Sequence, residues 1–157
     1  MRKMIYRFLL ASVILAVALS VAQAKSDFTG TWKVNVAKSD FGPAPTPDSV
    51  VETIVHQEPT VKVKYVQVGG TGDVSSDMEY TTDGKESVNH LGDNEFKTKL
   101  RWEGDDLVGE TQGSFDGNDF TAKDRWSLSA DGKIMTVVRQ VSADGADFEM
   151  KMVFEKQ

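Results

Sequence analysis

The chain has 157 residues, with 24 acidic residues against 18 basic ones and no cysteine. Arg2, Lys3 and Arg7 are the only charged residues before position 25, so residues 25–157 hold 15 basic and 24 acidic residues, a net charge of −9. This negative charge disfavours binding to nucleic acid or anionic membranes, and the lack of cysteine excludes disulfides, thiol chemistry and a cysteine-linked lipid anchor.

Residues 1–24 form a predicted signal peptide. A basic start precedes a mostly apolar run, Phe8 to Val21, and then Ala22-Gln23-Ala24, the small-x-small pattern that signal peptidase accepts. A retained membrane anchor is the alternative, but the run is short for a spanning helix and ends in a cleavage-like site rather than a charged stop. We expect cleavage after Ala24, a periplasmic or secreted protein without a stable membrane anchor, and one domain at residues 25–157.

The predicted mature chain opens on a segment with the period of a half-buried strand. Phe28, Gly30, Trp32 and Val34 alternate with mostly polar residues and therefore share one face. A glycine two residues before a tryptophan leaves room for a close approach of another backbone beside the indole. We expect this strand to close one end of a barrel.

A proline-rich stretch follows at residues 38–48. Pro43, Pro45 and Pro47 remove backbone donors and disfavour helix at the residues before them. Too few residues of the mature chain precede this stretch to form a separate domain. We expect a loop that crosses one mouth of the barrel.

The remainder of the chain predicts strands and no helix. Turn signals such as Asp-Gly separate alternating apolar and polar runs, most clearly Phe96 to Trp102, Phe120 to Leu128 and Phe148 to Phe154. No segment keeps the apolar period of a helix. The prediction is all-β, a single antiparallel meander barrel of about eight to ten strands without lid helices, because closure removes exposed strand edges.

The opening motif, Phe28-Thr29-Gly30-Thr31-Trp32-Lys33-Val34, resembles the first strand of the calycins, the superfamily of lipocalins and fatty-acid-binding proteins. Gly30 and Trp32 match the G-x-W signature, and the resemblance implies a barrel like those of small lipocalin-like exported proteins of bacteria. Two departures stand out. The proline-rich loop replaces the lid helices of fatty-acid-binding proteins, and the last strand lacks their Arg-x-Tyr pair, so their ligand residues do not carry over.

The resemblance also implies a position for Arg139. Lipocalins place a late arginine over the signature tryptophan, so Arg139 would stack on Trp32 in a cation–π contact of about 0.5–2 kcal/mol. Asp124 interrupts an apolar face one strand away, and a buried charge needs a partner, so Arg139 is its expected partner too. Either this ion pair fixes the strand register or Arg139 meets a ligand carboxylate.

Polar residues recur among the interior-facing apolar ones, which suits a ligand cavity better than a solid core. They are Thr53, Tyr65, Tyr80, Thr98, Thr111, Asp124 and Arg139. Large aromatic and methionine side chains suit an adaptable apolar pocket, and they equally suit a plain core. The predicted ligand-binding residues are Tyr65, Tyr80, Phe96, Trp102, Asp124, Trp126, Arg139, Met150 and Met152.

No motif indicates catalysis or metal binding. His56 and His90 are the only histidines and lack ligand spacing, so each is expected to be solvated. No G-x-S-x-G elbow is present, and no helix follows the glycine-rich run at Gly69 to Gly72 to bind phosphate. We expect no enzyme, no metal and no cofactor.

Two hypotheses of function follow. The first is an exported lipocalin-like barrel that binds a small hydrophobic molecule without catalysis, with an anionic head on the ligand as an option. The second is a protein-interaction or inhibitor module with a solid barrel and functional loops. A continuous cavity of about 300 Å³ or more, lined by the residues named above, favours the first. Neither hypothesis fixes an oligomeric state.

Overall fold

The computed structural model of the protein describes residues 24–115 and 117–157. Apart from Ala24, the predicted signal peptide lies outside the described residues, so export and cleavage stay predictions. In the described part of the chain, no helix is long and apolar enough to cross a membrane.

Ten antiparallel strands form one sheet. They are β1 (Gly30–Val34), β2 (Pro47–Gln57), β3 (Thr60–Gly69), β4 (Val74–Thr81), β5 (Asp83–Leu91), β6 (Asn94–Glu103), β7 (Asp106–Phe115), β8 (Asn118–Leu128), β9 (Ile134–Ala143) and β10 (Ala146–Lys156). Sequential strands pair with each other except β4 with β5, and β1 also pairs with β10. The sheet therefore curls into a nearly closed barrel, which confirms the predicted meander. Among the described residues, the one helical element is a short 3-10 turn at Val36–Lys38.

Side chains close the joint between β4 and β5. The Asn89 side chain accepts a hydrogen bond from the Glu79 backbone N–H at 2.8 Å and donates one to the Glu79 carbonyl at 2.9 Å. The hydroxyl of Ser87 accepts a third bond, from the Thr81 backbone N–H, at 3.2 Å. These bonds satisfy edge groups that would otherwise be left to pair with another chain.

One end of the barrel is solid. The largest fully buried side chains all lie near this end. Their positions are in β1 or just before it, beside the β2–β3, β6–β7 and β8–β9 connections, and in the second half of β10. They are Phe28, Trp32, Ile54, Val61, Leu107, Met135 and Phe154. None of them borders the interior cavity described below. These seven side chains are thus separate from the cavity, whereas other core residues such as Val50, Leu100 and Val137 form part of its wall.

The signature tryptophan sits at the centre of this solid end. Trp32 is fully buried, and its indole N–H donates to the Phe28 carbonyl at 2.9 Å. The ammonium of Lys156 lies 5.2 Å from the centroid of the Trp32 ring. The Lys156 side chain also fills the space that Gly30 leaves open, since a Cβ on Gly30 would lie 2.6 Å from its Cε atom.

This arrangement corrects the prediction for Arg139. The cation over Trp32 comes from Lys156, the final residue of β10, whereas Arg139 lines the cavity. The room beside Gly30 is likewise taken by a side chain rather than by a neighbouring backbone. Both errors have one cause. The Gly-x-Trp motif predicts free space beside the indole, but it does not indicate which group fills that space.

Candidate functional site

The other end of the barrel encloses a cavity of about 320 Å³. Phe41, Ala44, Pro45 and Pro47 contribute to its wall, so the proline-rich loop lies over this end as predicted. Close contacts hold the loop on both sides. A Cβ on Gly42 would lie 2.9 Å from the carbonyl oxygen of Glu149 in β10, and a Cβ on Gly70 would lie 3.0 Å from that of Pro45.

Asp124 and Arg139 form the predicted ion pair inside the barrel. They lie opposite each other on β8 and β9. Arg139 Nε donates to Asp124 Oδ1 at 2.6 Å, and Nη2 donates to Oδ2 at 3.0 Å, a two-point contact that fixes both side chains. The Asp124 side chain is 8% exposed and that of Arg139 is 39% exposed. Because Arg139 lines the cavity, we attribute its remaining exposure to that internal space.

Glu52 on β2 is the functional group that sequence reasoning missed. It lines the cavity, and no hydrogen bond joins its carboxyl group to any described residue. Burial raises the pKa of Glu52 to about 7, while the positive charge of Arg139 opposes this rise and the negative charge of Asp124 adds to it. Thr53, which was predicted to face inward, is exposed instead.

Glu52 had a sequence signal of its own. It lies two residues from both Val50 and Ile54, which are buried, so the period of a strand places all three on one face.

Two tyrosines stand beside Glu52. Tyr65 lies directly opposite it on β3, and its hydroxyl donates to Gln67 Oε1 at 2.6 Å. Burial raises the pKa of Tyr65 to about 12, and the charge of Glu52 contributes. Burial also raises the pKa of Tyr80 on β4, whose hydroxyl points to the Met78 sulfur at 3.2 Å. Both phenols therefore stay protonated and neutral at ordinary pH.

The rest of the wall is mainly apolar. The structure places eight of the nine predicted ligand-binding residues along the cavity, namely Tyr65, Tyr80, Phe96, Asp124, Trp126, Arg139, Met150 and Met152. Thr98 and Thr111 also line it, and their hydroxyls share a hydrogen bond of 2.9 Å. The indole N–H of Trp126 is buried without a hydrogen-bond partner among the described residues. Whether these side chains bind a ligand stays a prediction.

Trp102 is the ninth residue, and its predicted position in the cavity was wrong. It belongs to an end cluster, defined here as His56, Glu58, Thr82 and Trp102, at the end of the barrel opposite the proline-rich loop. Glu58 Oε1 accepts from Trp102 Nε1 at 2.9 Å and pairs with His56 Nε2 at 2.8 Å, and Glu58 Oε2 accepts from the Thr82 hydroxyl at 2.6 Å. One carboxylate thus ties three strand ends together.

The end cluster also corrects the prediction for His56. Its side chain is 4% exposed rather than solvated, and its ring stacks on Trp102 with centroids 5.8 Å apart. Its Nδ1 atom accepts from the Phe28 backbone N–H at 3.4 Å. Because Nδ1 accepts, the Nε2 atom carries the proton in this arrangement and donates it to Glu58.

Glu58→Ala should lower the free energy of unfolding by about 1–2 kcal/mol at neutral pH, because three donors lose their acceptor at a half-exposed site. Burial raises the pKa of Glu58, but the bonds from Thr82, His56 and Trp102 outweigh it and leave the pKa below its ordinary value. The stabilisation is therefore present above the unfolded pKa and lost as the pH falls through the folded one. Urea unfolding followed by tryptophan fluorescence measures the difference.

The control for this prediction is Glu79→Ala, which removes a surface carboxylate that is 60% exposed. We expect that change to stay within about 0.5 kcal/mol of the wild type. Equal effects of the two substitutions would contradict the structural role assigned to Glu58.

The described residues hold no group of three or more side chains suited to bind a metal ion. Together, the nearly closed meander, the buried Gly-x-Trp strand and the interior cavity define a calycin-like β-barrel fold, as the sequence motif predicted. No family model and no curated protein matches the chain.

Many solved structures share this fold, and the following three are examples. A secretory abundant heat soluble protein from Ramazzottius varieornatus aligns with a TM-score of 0.62 at 13% identity, over 85% of this chain and 97% of that one. The zebrafish ileal bile acid-binding protein complexed with cholic acid gives 0.55 at 17% identity, over 84% and 100%. A point mutant of the fluorescent protein UnaG gives 0.54 at 15% identity, over 83% and 96%.

Proposed function

We propose that this protein is an exported calycin-like barrel that binds a small hydrophobic molecule inside its cavity, without catalysis. The observation that carries the proposal is the enclosed space of about 320 Å³, bounded by apolar side chains and a few polar groups. Ligand sites in proteins have this size and this composition. One structural relative, the zebrafish protein, was solved with cholic acid bound. Export rests on the pattern of residues 1–24.

The cavity counts against the second hypothesis, which required a solid barrel. Only the end around Trp32 is packed solid, and the opposite half is open inside. Evolution toward a stable core alone would fill such a space, because each void removes dispersion contacts from its lining. A guest molecule restores those contacts.

An anionic head on the ligand would meet Arg139, which is already hydrogen-bonded to Asp124. Asp124 already takes two of the five N–H donors of Arg139 and offsets its positive charge, so little attraction is left for a ligand carboxylate. The proposal therefore assigns the apolar body of the ligand to the aromatic and methionine side chains. It assigns the polar end to the group formed by Glu52, Asp124 and Arg139.

The proposed function is tested by titrating the protein with Nile red, an uncharged probe that fluoresces in apolar surroundings. We expect saturable binding at one site in the wild type. Ala122→Phe, at a buried cavity position, should weaken binding by about tenfold or more because the new ring fills the space. Thr121→Phe, on the exposed face of the same strand, should bind like the wild type.

Circular dichroism melts check that both variants are folded. Absence of saturable binding in the wild type would contradict the proposed function. So would equal binding by the folded Ala122→Phe and Thr121→Phe variants, because the probe would then lie outside the cavity.

A further inference from the structure

The charged side chains in the described part of the cavity wall do not cancel one another, because two are acidic and one is basic. Among the described residues of its wall, the only charged side chains are Glu52, Asp124 and Arg139. Arg139 is engaged at two points by Asp124 and is thereby neutralised. Glu52 is left as a carboxyl group without a hydrogen-bond partner among the described residues. A half-buried carboxylate that faces an interior, mainly apolar cavity is unfavourable until it gains a proton or a cation.

The surroundings of Glu52 suit a cation with several N–H groups. Tyr65 lies directly opposite, and because its hydroxyl proton goes to Gln67, the Tyr65 oxygen is free to accept a further hydrogen bond. Tyr80 and Trp126 also line the cavity, with ring centroids 6.3 Å apart in an edge-on arrangement. Aromatic rings attract cations electrostatically, which adds to the attraction of a carboxylate.

Resting on the proposed function, we propose that the cavity selects hydrophobic molecules that carry a protonated amine, with the ammonium group paired to Glu52. Glu52 supplies the charge and the Tyr65 oxygen supplies a further acceptor. The apolar body of the ligand lies against Phe96, Met150 and Met152. An ammonium group brings the charge of the enclosed site to zero.

A carboxylate of the same length has the opposite effect. It adds a third negative group to a site with one guanidinium, whose positive charge Asp124 already offsets through two hydrogen bonds. The cavity should therefore discriminate by the charge of the head, in favour of the cation.

The pairing also sets a pH dependence. Since the pKa of Glu52 is about 7, the free protein holds a proton there below neutral pH, and an amine must displace it. The groups that face Glu52 are Tyr65 on β3, Tyr80 on β4, Asp124 on β8 and Arg139 on β9. The raised pKa values of both phenols and of Arg139 keep their protonation constant over this range. Affinity for the amine should fall as the pH decreases from about 8 to about 5.5.

The test compares decylamine, decanoate and decanol by isothermal titration calorimetry at about pH 8, where the amine is charged. We expect decylamine to bind about tenfold or more tightly than decanoate, with decanol between them. Glu52→Gln should remove this preference while retaining the binding of decanol. Glu79→Gln, which removes a surface carboxylate of equal charge, should keep the preference.

The outcomes separate this inference from the proposed function. If decanol and decanoate bind, and decanoate binds as tightly as decylamine or more tightly, the cavity accepts ligands but the amine inference is wrong. The same conclusion follows if Glu52→Gln keeps the preference for decylamine. If none of the three compounds binds, and Nile red does not bind either, the proposed function and the inference both fail.

Discussion

Glu52→Gln should raise the free energy of unfolding by about 2 kcal/mol at about pH 8. In the folded protein burial raises the pKa of Glu52 to about 7 from its ordinary 4.5. The unfolded chain therefore loses this proton first, and the folded state becomes relatively less stable as the pH rises from 4.5 through 7. Glutamine has nearly the same shape and does not ionise, so it avoids that loss. The full shift corresponds to about 3 kcal/mol, and we expect a smaller gain because Glu52 is only partly buried.

The pH dependence is the decisive measurement. Chemical unfolding of both proteins at a series of pH values should show a gain that is largest at about pH 8 and absent at about pH 4.5 and below. Glu79→Gln provides the control for the change in net charge, since Glu79 is on the surface and paired with Lys62. A Glu52→Gln variant that is less stable than the wild type at high pH would show that the carboxylate has a partner in the folded protein.

Arg139→Met should lower the free energy of unfolding by about 3 kcal/mol at neutral pH, because it leaves two acidic groups in the cavity without a cation. Asp124→Asn should lower it by only about 1 kcal/mol, since Arg139 then keeps Glu52 as an electrostatic partner. We place the first value at the low end for a broken buried pair because the Arg139 side chain is 39% exposed to the cavity. Urea unfolding at matched pH gives both values.

The asymmetry between these two variants is the informative result. Acid should restore part of the stability of Arg139→Met, because protonation removes the negative charge of Glu52, whose pKa is raised by burial. Equal losses in Arg139→Met and Asp124→Asn, with no recovery in acid, would mean that Glu52 lies outside the electrostatic reach of Arg139. In that case the proposed amine site would lose its main support.

Regular alternation is what made much of the fold and the site predictable. In β8, Phe120, Ala122, Asp124 and Trp126 alternate with exposed polar residues, so the sequence alone assigned their face and paired Asp124 with Arg139. In β2 the run from Val50 to Val55 contains β-branched residues on both faces. Its period is therefore ambiguous, which is why the sequence predicts an inward Thr53, whereas Glu52 is the residue that lines the cavity.

The alternation of inward and outward residues does not show how far along the barrel axis a side chain lies. Trp102 follows Leu100 with the correct period and shares its face, yet it lies at the end of β6 and joins Glu58 and His56. The carboxylate that receives its indole N–H is 44 residues away in sequence. Contacts of this kind depend on the register of several strands together, which a single sequence does not supply.

The joint that Asn89 holds differs from the rest of the barrel wall in the kind of bonds that close it. Every other neighbouring pair of strands is joined by a backbone ladder, whereas β4 and β5 are joined by the rotatable amide and hydroxyl groups of side chains. Turning a side chain disturbs far less structure than pulling two ladders apart. If the barrel widens, we therefore expect it to widen along the joint between β4 and β5, where no backbone ladder has to be broken.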